Sequence, residues 1–67
     1  MTKIALLGAG GKMGVRLATN LKSSRFTVAH VEVSEEGRKR LKETTGFDCV
    51  DQATALRDAE VVVLAVP

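Results

Sequence analysis

Short apolar runs alternate with stretches of helical periodicity along the whole chain. Lys3–Leu7 is an apolar run closed by glycine, which is typical of a strand buried on both faces of a parallel sheet. Met13, Leu17 and Leu21 then recur at four-residue intervals, which predicts a helix with one apolar face. Residues 27–33 are rich in β-branched side chains and alternate in polarity, so they predict a second strand.

The second half of the chain repeats this alternation. Ser34 is a typical N-cap for a helix that Gly46 would end. Residues 47–50 predict a short edge strand, and Asp51 predicts the start of a short helix that continues to about residue 59. Residues 61–66, V-V-V-L-A-V, carry the strongest strand signal. Four strands alternating with three helices predict an α/β fold with a parallel sheet in the order 3-2-1-4.

Composition narrows the class of protein. The 67 residues include one cysteine, so no intramolecular disulfide framework is available, and the mixed charge of net +2 does not fit a disordered polyelectrolyte. The longest apolar run is too short to span a bilayer, and the N-terminus lacks the pattern of a secretory signal. We therefore expect a cytoplasmic protein that binds no membrane. The basic residues come without aromatic stacking residues, so we expect no nucleic-acid partner.

The segment that follows the first strand is the main chemical signal. It is G-A-G-G-K-M-G, and it leads directly into the first predicted helix. A glycine-rich turn at a helix N-terminus exposes backbone N–H groups beside the positive end of the helix dipole, which predicts a phosphate or dinucleotide site. The predicted pyrophosphate-binding residues are Gly8, Ala9, Gly10, Gly11, Lys12, Met13 and Gly14.

The spacing of these glycines departs from the common dinucleotide pattern. In G-x-G-x-x-G the third glycine would fall on Met13, whereas G-x-x-G-x-x-G fits Gly8, Gly11 and Gly14. A Walker A loop is excluded because Lys12 is followed by methionine. We expect Met13 to pack under the loop.

An acidic residue and the last strand complete the predicted site. Glu32 ends the second predicted strand, where a dinucleotide fold uses a carboxylate to bind the adenosine ribose. That charge repels a 2′-phosphate, so NAD is favoured over NADP. Four basic residues leave the choice open: Arg38, Lys39, Arg40 and Lys42. The pairs Glu35/Lys39 and Glu36/Arg40 are nevertheless spaced as helical ion pairs. Three residues at the end of the last strand are predicted to border the cofactor: Ala65, Val66 and Pro67.

Two other reactive side chains are interpreted as structural. His30 lies within a strand and has no second metal ligand at suitable spacing, so we expect a packed histidine. Cys49 has no partner motif and is expected to fill space. No metal site is predicted.

With these residues in place, the chain resembles the N-terminal Rossmann segment of the 6-phosphogluconate/3-hydroxyisobutyrate dehydrogenase-like superfamily. The K-M-G ending of the loop resembles that group's G-x-M-G, and A-E-V-V-V-L-A-V-P resembles its fourth strand. More narrowly, I-A-L-L-G-A-G-G-K-M-G with V-E-V-S-E-E-G is similar to the D-apionate oxidoisomerase group and related oxidoreductases. The loop is also similar to dihydrodipicolinate reductases, but that family's fourth strand leads into Asp-Phe.

The resemblance implies an NAD(P)-dependent oxidoreductase that transfers hydride between nicotinamide and a CH–OH group of a hydroxy acid or sugar acid. It implies that residues 1–67 are the N-terminal part of the cofactor domain, within a protein that is a homodimer. The catalytic residues of such enzymes lie downstream, so none is assigned here. A dihydrodipicolinate-type NADPH reductase and a non-catalytic NAD-sensing module stay open as alternatives.

Overall fold

A computed structural model describes residues 2–65 and contains three strands and three helices. In chain order, these elements are β1 (Lys3–Leu7), α1 (Lys12–Lys22), β2 (Thr27–Val31), α2 (Glu35–Thr45), α3 (Gln52–Asp58) and β3 (Val61–Leu64). No helix within that part of the chain is long and apolar enough to cross a bilayer.

The strands form one parallel sheet in the order β2-β1-β3. Leu6 at its centre is aligned with His30 of β2 on one side and with Val63 of β3 on the other. The parallel α/β class is thus confirmed, and β3 lies beside β1 as predicted. The carboxyl ends of β1 and β2 lie at the same edge, where the glycine loop and Glu32 begin.

The predicted edge strand over residues 47–50 does not form, so the described sheet has three strands rather than the four of the order 3-2-1-4. The segment does lie beside β2, because the Val50 N–H donates to the His30 carbonyl at 2.8 Å. It is confined between the left-handed Gly46 that ends α2 and Asp51 that begins α3. The four residues between these two helices therefore make this one backbone hydrogen bond to β2 and do not form the hydrogen-bond ladder of a strand.

The sheet separates two small cores. On one face, Leu6 packs with Ala18 of α1 and Leu41 of α2, and all three are fully buried. On the other face, Ala5 and Val31 pack with Ala55 of α3. Helices α1 and α2 therefore cover one face of the sheet, and α3 covers the other.

The ends of α2 and α3 follow the residues that predicted them. The Ser34 hydroxyl accepts a hydrogen bond from the Gly37 N–H at 2.9 Å, and the Asp51 carboxylate accepts one from Thr54 at 3.0 Å. Gly46 ends α2 at φ 81°, a left-handed conformation that glycine adopts without a Cβ penalty. Two of the three helices are thus capped by their own sequence.

His30 is a buried histidine on β2, as the sequence predicts. Its ring stacks on Phe47 with centroids 4.5 Å apart, and its Nε2 has no hydrogen-bond partner among the described residues. The Lys22 ammonium lies 5.6 Å from the centre of the Phe47 ring and donates to the Thr45 carbonyl. Burial lowers the pKa of His30, because the charged imidazolium loses its hydration.

This burial predicts a loss of stability in acid. The unfolded chain takes up the His30 proton near the ordinary value of 6.5, whereas the folded chain resists it, so stability falls as the pH drops below 6.5. His30→Phe keeps a ring against Phe47 and removes this proton. Urea unfolding from about pH 8 to about pH 5 should show a weaker pH dependence for the variant. Identical slopes for the two proteins would contradict the assignment.

Candidate functional site

The glycine loop is anchored to the end of β2 through backbone hydrogen bonds. The N–H groups of Gly8 and Ala9 both donate to the Val31 carbonyl, at 2.9 and 3.0 Å. Gly8 has φ 82°, which turns the chain out of β1. Because the loop takes the Val31 carbonyl, β2 ends there and not at Val33, which had been predicted as its last residue and is 83% exposed.

Three loop glycines are required by geometry. A Cβ on Gly14 would overlap the Gly8 carbonyl, and a Cβ on Gly10 would overlap the backbone of Gly37 in α2. A Cβ on Gly11 would come no closer than 3.5 Å to the Gly8 oxygen, an ordinary contact. The constrained positions are therefore 8, 10 and 14, which is a G-x-G-x-x-x-G spacing. Within the chain itself, steric demand thus falls on Gly10 and not on Gly11, the glycine that the predicted G-x-x-G-x-x-G register uses.

The N-terminus of α1 faces the loop without a side-chain cap. Its N-cap is Gly11, which offers no side-chain acceptor, in contrast to the capped helices α2 and α3, and its first turn contains no acidic residue. The Val15 N–H donates to the Gly11 carbonyl at 2.8 Å, so the N–H groups of the residues between them precede the helical hydrogen-bond ladder. Such an end binds an anion through its N–H groups and dipole.

Lys12 and Met13 occupy the first turn of α1, and both are exposed. Met13 is 60% exposed, so the expectation that it packs under the loop is wrong. The close contact of Gly14 with the Gly8 carbonyl leaves no room for a side chain there. Both the Lys12 and the Met13 side chains are therefore exposed on the first turn of α1, the helix that begins at the predicted phosphate site.

The Glu32 carboxylate connects the loop to α2. Its Oε1 accepts a hydrogen bond from the Gly10 N–H at 2.9 Å, and its Oε2 accepts one from the Ser34 N–H at 3.0 Å. A Cβ on Gly37 would come within 2.6 Å of the Glu32 side chain, so the first turn of α2 packs directly on it. Each carboxylate oxygen keeps acceptor capacity for a further donor, such as a ribose hydroxyl.

The same contacts keep Glu32 ionised. Burial raises the pKa of its carboxyl, but hydrogen bonds from Ser34 and from the Gly10 N–H together outweigh it and hold the pKa below its usual value. The site therefore carries a negative charge at neutral pH. A ligand group placed against it must donate hydrogen bonds and must not be an anion.

The nearby arginines contact backbone carbonyls. Arg38 donates through Nη1 to the carbonyls of Glu32 and Val33, each at 3.1 Å. Arg40 donates through Nη1 to the Gly10 carbonyl at 2.7 Å. The two expected ion pairs, Glu35 with Lys39 and Glu36 with Arg40, are not formed. Within residues 2–65 an ion pair instead joins Lys42 to Asp48 at 3.2 Å.

The remaining predicted positions lie at the end of β3. Ala65 is buried, and its N–H donates to the Leu7 carbonyl at 2.9 Å, so it sits beside the start of the glycine loop. Ala9 is also fully buried and belongs to the same core cluster. Val66 and Pro67 lie outside the described residues.

Sequence reasoning missed the contribution of α2 to this site. Gly37 lies in the first turn of the helix and is buried against Gly10 and Glu32, and Arg40 follows one turn later. A glycine inside a helix lowers helix stability by about 1 kcal/mol relative to alanine, so its presence suggests that close packing requires it. That was the signal in the sequence that could have identified this contact. Among residues 2–65, no cluster of His, Cys, Asp and Glu is arranged to hold a metal ion.

The β1–loop–α1–β2 arrangement is the first part of a dinucleotide-binding Rossmann fold. A sequence profile of the family described as NADP oxidoreductase, coenzyme F420-dependent, matches residues 3–67, and the chain belongs to this family.

Similar proteins agree with this family. The chain is 63% identical over 65 residues to D-apionate oxidoisomerase from Cupriavidus necator, with 97% of this chain covered, and 64% identical over 67 residues to the Rhizobium rhizogenes enzyme, with 100% covered. It spans 24% of the length of each. The predicted resemblance to this group is confirmed.

A solved structure from Cupriavidus necator has the same fold. It is described as a semialdehyde dehydrogenase NAD-binding protein in complex with calcium and NAD. The two chains are 61% identical and superpose with a TM-score of 0.96, over 100% of this chain and 24% of that chain. The backbone of the glycine loop and of α2 is thus shared with a protein whose complex contains NAD.

The glycine geometry makes a prediction about stability. Gly10→Ala and Gly14→Ala should each lower the free energy of unfolding by about 1–3 kcal/mol, because the added methyl group overlaps backbone atoms. Gly11→Ala, in the same loop, is the matched control and should change it little. Denaturant unfolding of the protein from its complete reading frame measures all three. Equal losses for Gly10 and Gly11 would refute the spacing assigned here.

Proposed function

We propose that the chain forms the NAD-binding segment of an oxidoreductase acting on a CH–OH group of a sugar acid or hydroxy acid. The observation that carries this proposal is the uncapped N-terminus of α1 behind the glycine loop, with the Glu32 carboxylate at the edge of the same loop. A dinucleotide needs both features, because its pyrophosphate is anionic and its ribose hydroxyls are donors.

The residues fit two parts of the ADP moiety, its pyrophosphate and its ribose. The pyrophosphate would lie against residues 8–14, where the close packing of Gly14 under Gly8 leaves the backbone accessible. The adenosine ribose would donate to Glu32, which stays ionised because of its backbone hydrogen bonds. Bound nicotinamide supplies the hydride acceptor, and this chain's own residues bind and orient the cofactor.

The preference for NAD over NADP follows from charge. A 2′-phosphate beside Glu32 would face an ionised carboxylate whose oxygens already accept two backbone hydrogen bonds. Arg38 and Arg40 each donate to backbone carbonyls instead of lying free beside that carboxylate. The NAD complex of the structural relative supports the same choice.

The substrate class rests on the relatives. Two proteins at 63% and 64% identity are D-apionate oxidoisomerases, which supports a sugar acid as the substrate. The residues that contact this substrate and perform the chemistry would come from the part of the relatives beyond the 24% that this chain spans. We assign no catalytic residue within residues 1–67, and we propose that the protein works as a homodimer.

A substrate panel tests the proposed activity. The protein from its complete reading frame is incubated with NAD or NADP and with D-apionate, other sugar acids and simple hydroxy acids, and reduced nicotinamide is followed by absorbance. Reduction of NAD with a sugar acid is the expected result. Turnover of dihydrodipicolinate in a parallel assay supplied with NADPH would favour the reductase alternative. Binding of NAD with no turnover of any substrate would favour a sensing module.

A charge substitution tests the ribose assignment. Glu32→Ala should weaken NAD binding about tenfold, because hydrogen bonds to a charged group are lost. NADP binding should weaken less, since repulsion of its 2′-phosphate is removed as well. Calorimetric titration of both cofactors measures the two affinities. Glu36→Gln is the control, because it removes one exposed charge from the first turn of α2. Equal losses for NAD and NADP would contradict the assignment.

A further inference from the structure

We propose that Arg40 is a positioning residue that fixes the Gly10–Gly11 peptide of the glycine loop for pyrophosphate binding. The inference rests on the proposed dinucleotide function and adds α2 to the parts of the chain that build the phosphate site. It starts from one contact, the hydrogen bond of 2.7 Å from Arg40 Nη1 to the Gly10 carbonyl.

The first step concerns how Gly10 is held. Its N–H donates to Glu32 Oε1 at 2.9 Å, and its carbonyl accepts from Arg40. The two polar backbone atoms of this residue are thus both engaged by charged side chains, one from the end of β2 and one from α2. A charge-assisted hydrogen bond is about twice as strong as a neutral one.

The second step concerns the peptide that follows. Its oxygen is the Gly10 carbonyl, and its nitrogen is the Gly11 N–H, which donates to the Gly8 carbonyl at 3.1 Å. Because neither flanking residue has a Cβ, steric exclusion restrains the rotation of this peptide only weakly. If this peptide flipped, the Gly10 carbonyl oxygen would turn away from α2 and toward the phosphates. A carbonyl oxygen in that position would repel them. The Arg40 guanidinium holds that oxygen on the α2 side.

The third step concerns where Arg40 comes from. It lies three residues after Gly37, so the same face of α2 that packs on Gly10 also presents the guanidinium. Arg40 does not pair with Glu36, its favourable helical partner, and donates to the loop carbonyl instead. Gly37 permits the close approach of α2 to the loop, and Arg40 extends from the same helix. Both residues therefore support the contact between α2 and Gly10.

Binding measurements separate positioning from charge. Arg40→Met keeps the length of the side chain and removes its donors, and Lys39→Met removes one exposed positive charge from the neighbouring position of α2. Arg40→Lys keeps the charge but offers a compact ammonium in place of the planar fork. The protein from its complete reading frame is titrated with NAD by calorimetry, and each variant is also melted without cofactor.

We expect Arg40→Met to raise the Kd for NAD about tenfold, Arg40→Lys to give a value between the two, and Lys39→Met to match the unmodified protein. The melting temperature without cofactor should change little for Arg40→Lys, which distinguishes positioning from global stability. If Arg40→Met fails to fold, a raised Kd in Arg40→Lys at an unchanged melting temperature still supports the proposal.

Three results would overturn it: an unchanged Kd in Arg40→Met, an unchanged Kd in Arg40→Lys when the Met variant is unfolded, or an equal loss in Lys39→Met. Failure of the underlying function looks different. In that case the unmodified protein binds neither NAD nor NADP, before any variant is compared.

Discussion

The close approach of three backbones at the glycine loop is the constraint on which the rest of the structure depends. Gly14 brings α1 against the Gly8 carbonyl, and Gly37 brings α2 against Gly10. Each contact is possible because a Cβ is missing, and each fixes a helix relative to β1. Since the helix N-termini are set by these contacts, the orientation of the exposed N–H groups of α1 follows from backbone packing and needs no large side chain.

Glu32 shows how the loop and the candidate ligand share one group. Its carboxylate already organises the site through the Gly10 and Ser34 N–H groups, and these bonds keep it charged. A ribose hydroxyl would therefore meet a preorganised acceptor. The capped helices α2 and α3 contrast with α1, whose N-terminus has no side-chain acceptor of its own. The uncapped helix is the one that faces the loop, which is the arrangement an anionic ligand completes.

The sequence could predict what depends on local pattern. Apolar runs located β1, β2 and β3, and Ser34, Gly46 and Asp51 marked helix ends, because propensity and capping act within a few residues. Contacts between segments that are distant in the chain could not be predicted from local pattern. Gly10 has no room for a Cβ because it packs against Gly37 of α2, whereas Gly11 has no such contact. Arg40 donates to the Gly10 carbonyl, thirty residues away in the chain, and does not pair with its helical partner. The absent strand at residues 47–50 has a similar cause, since pairing needs a ladder and not only an apolar run.

The small residues that allow close backbone contacts at the site also make the core small. Leu6 and Leu41 are the largest fully buried side chains in the described part of the chain, and much of the remaining core is alanine. Alanine and glycine at the contacts let helices approach the sheet closely, but they remove little apolar area from water, and area sets the hydrophobic gain. Val61, Val62 and Leu64 of β3 meanwhile stay 45%, 47% and 65% exposed. Apolar surface on an edge strand is stabilising only when another element covers it. The close backbone contacts at the loop therefore accompany a core of small side chains, and the hydrogen bonds with Glu32 and Arg40 hold Gly10 at those contacts.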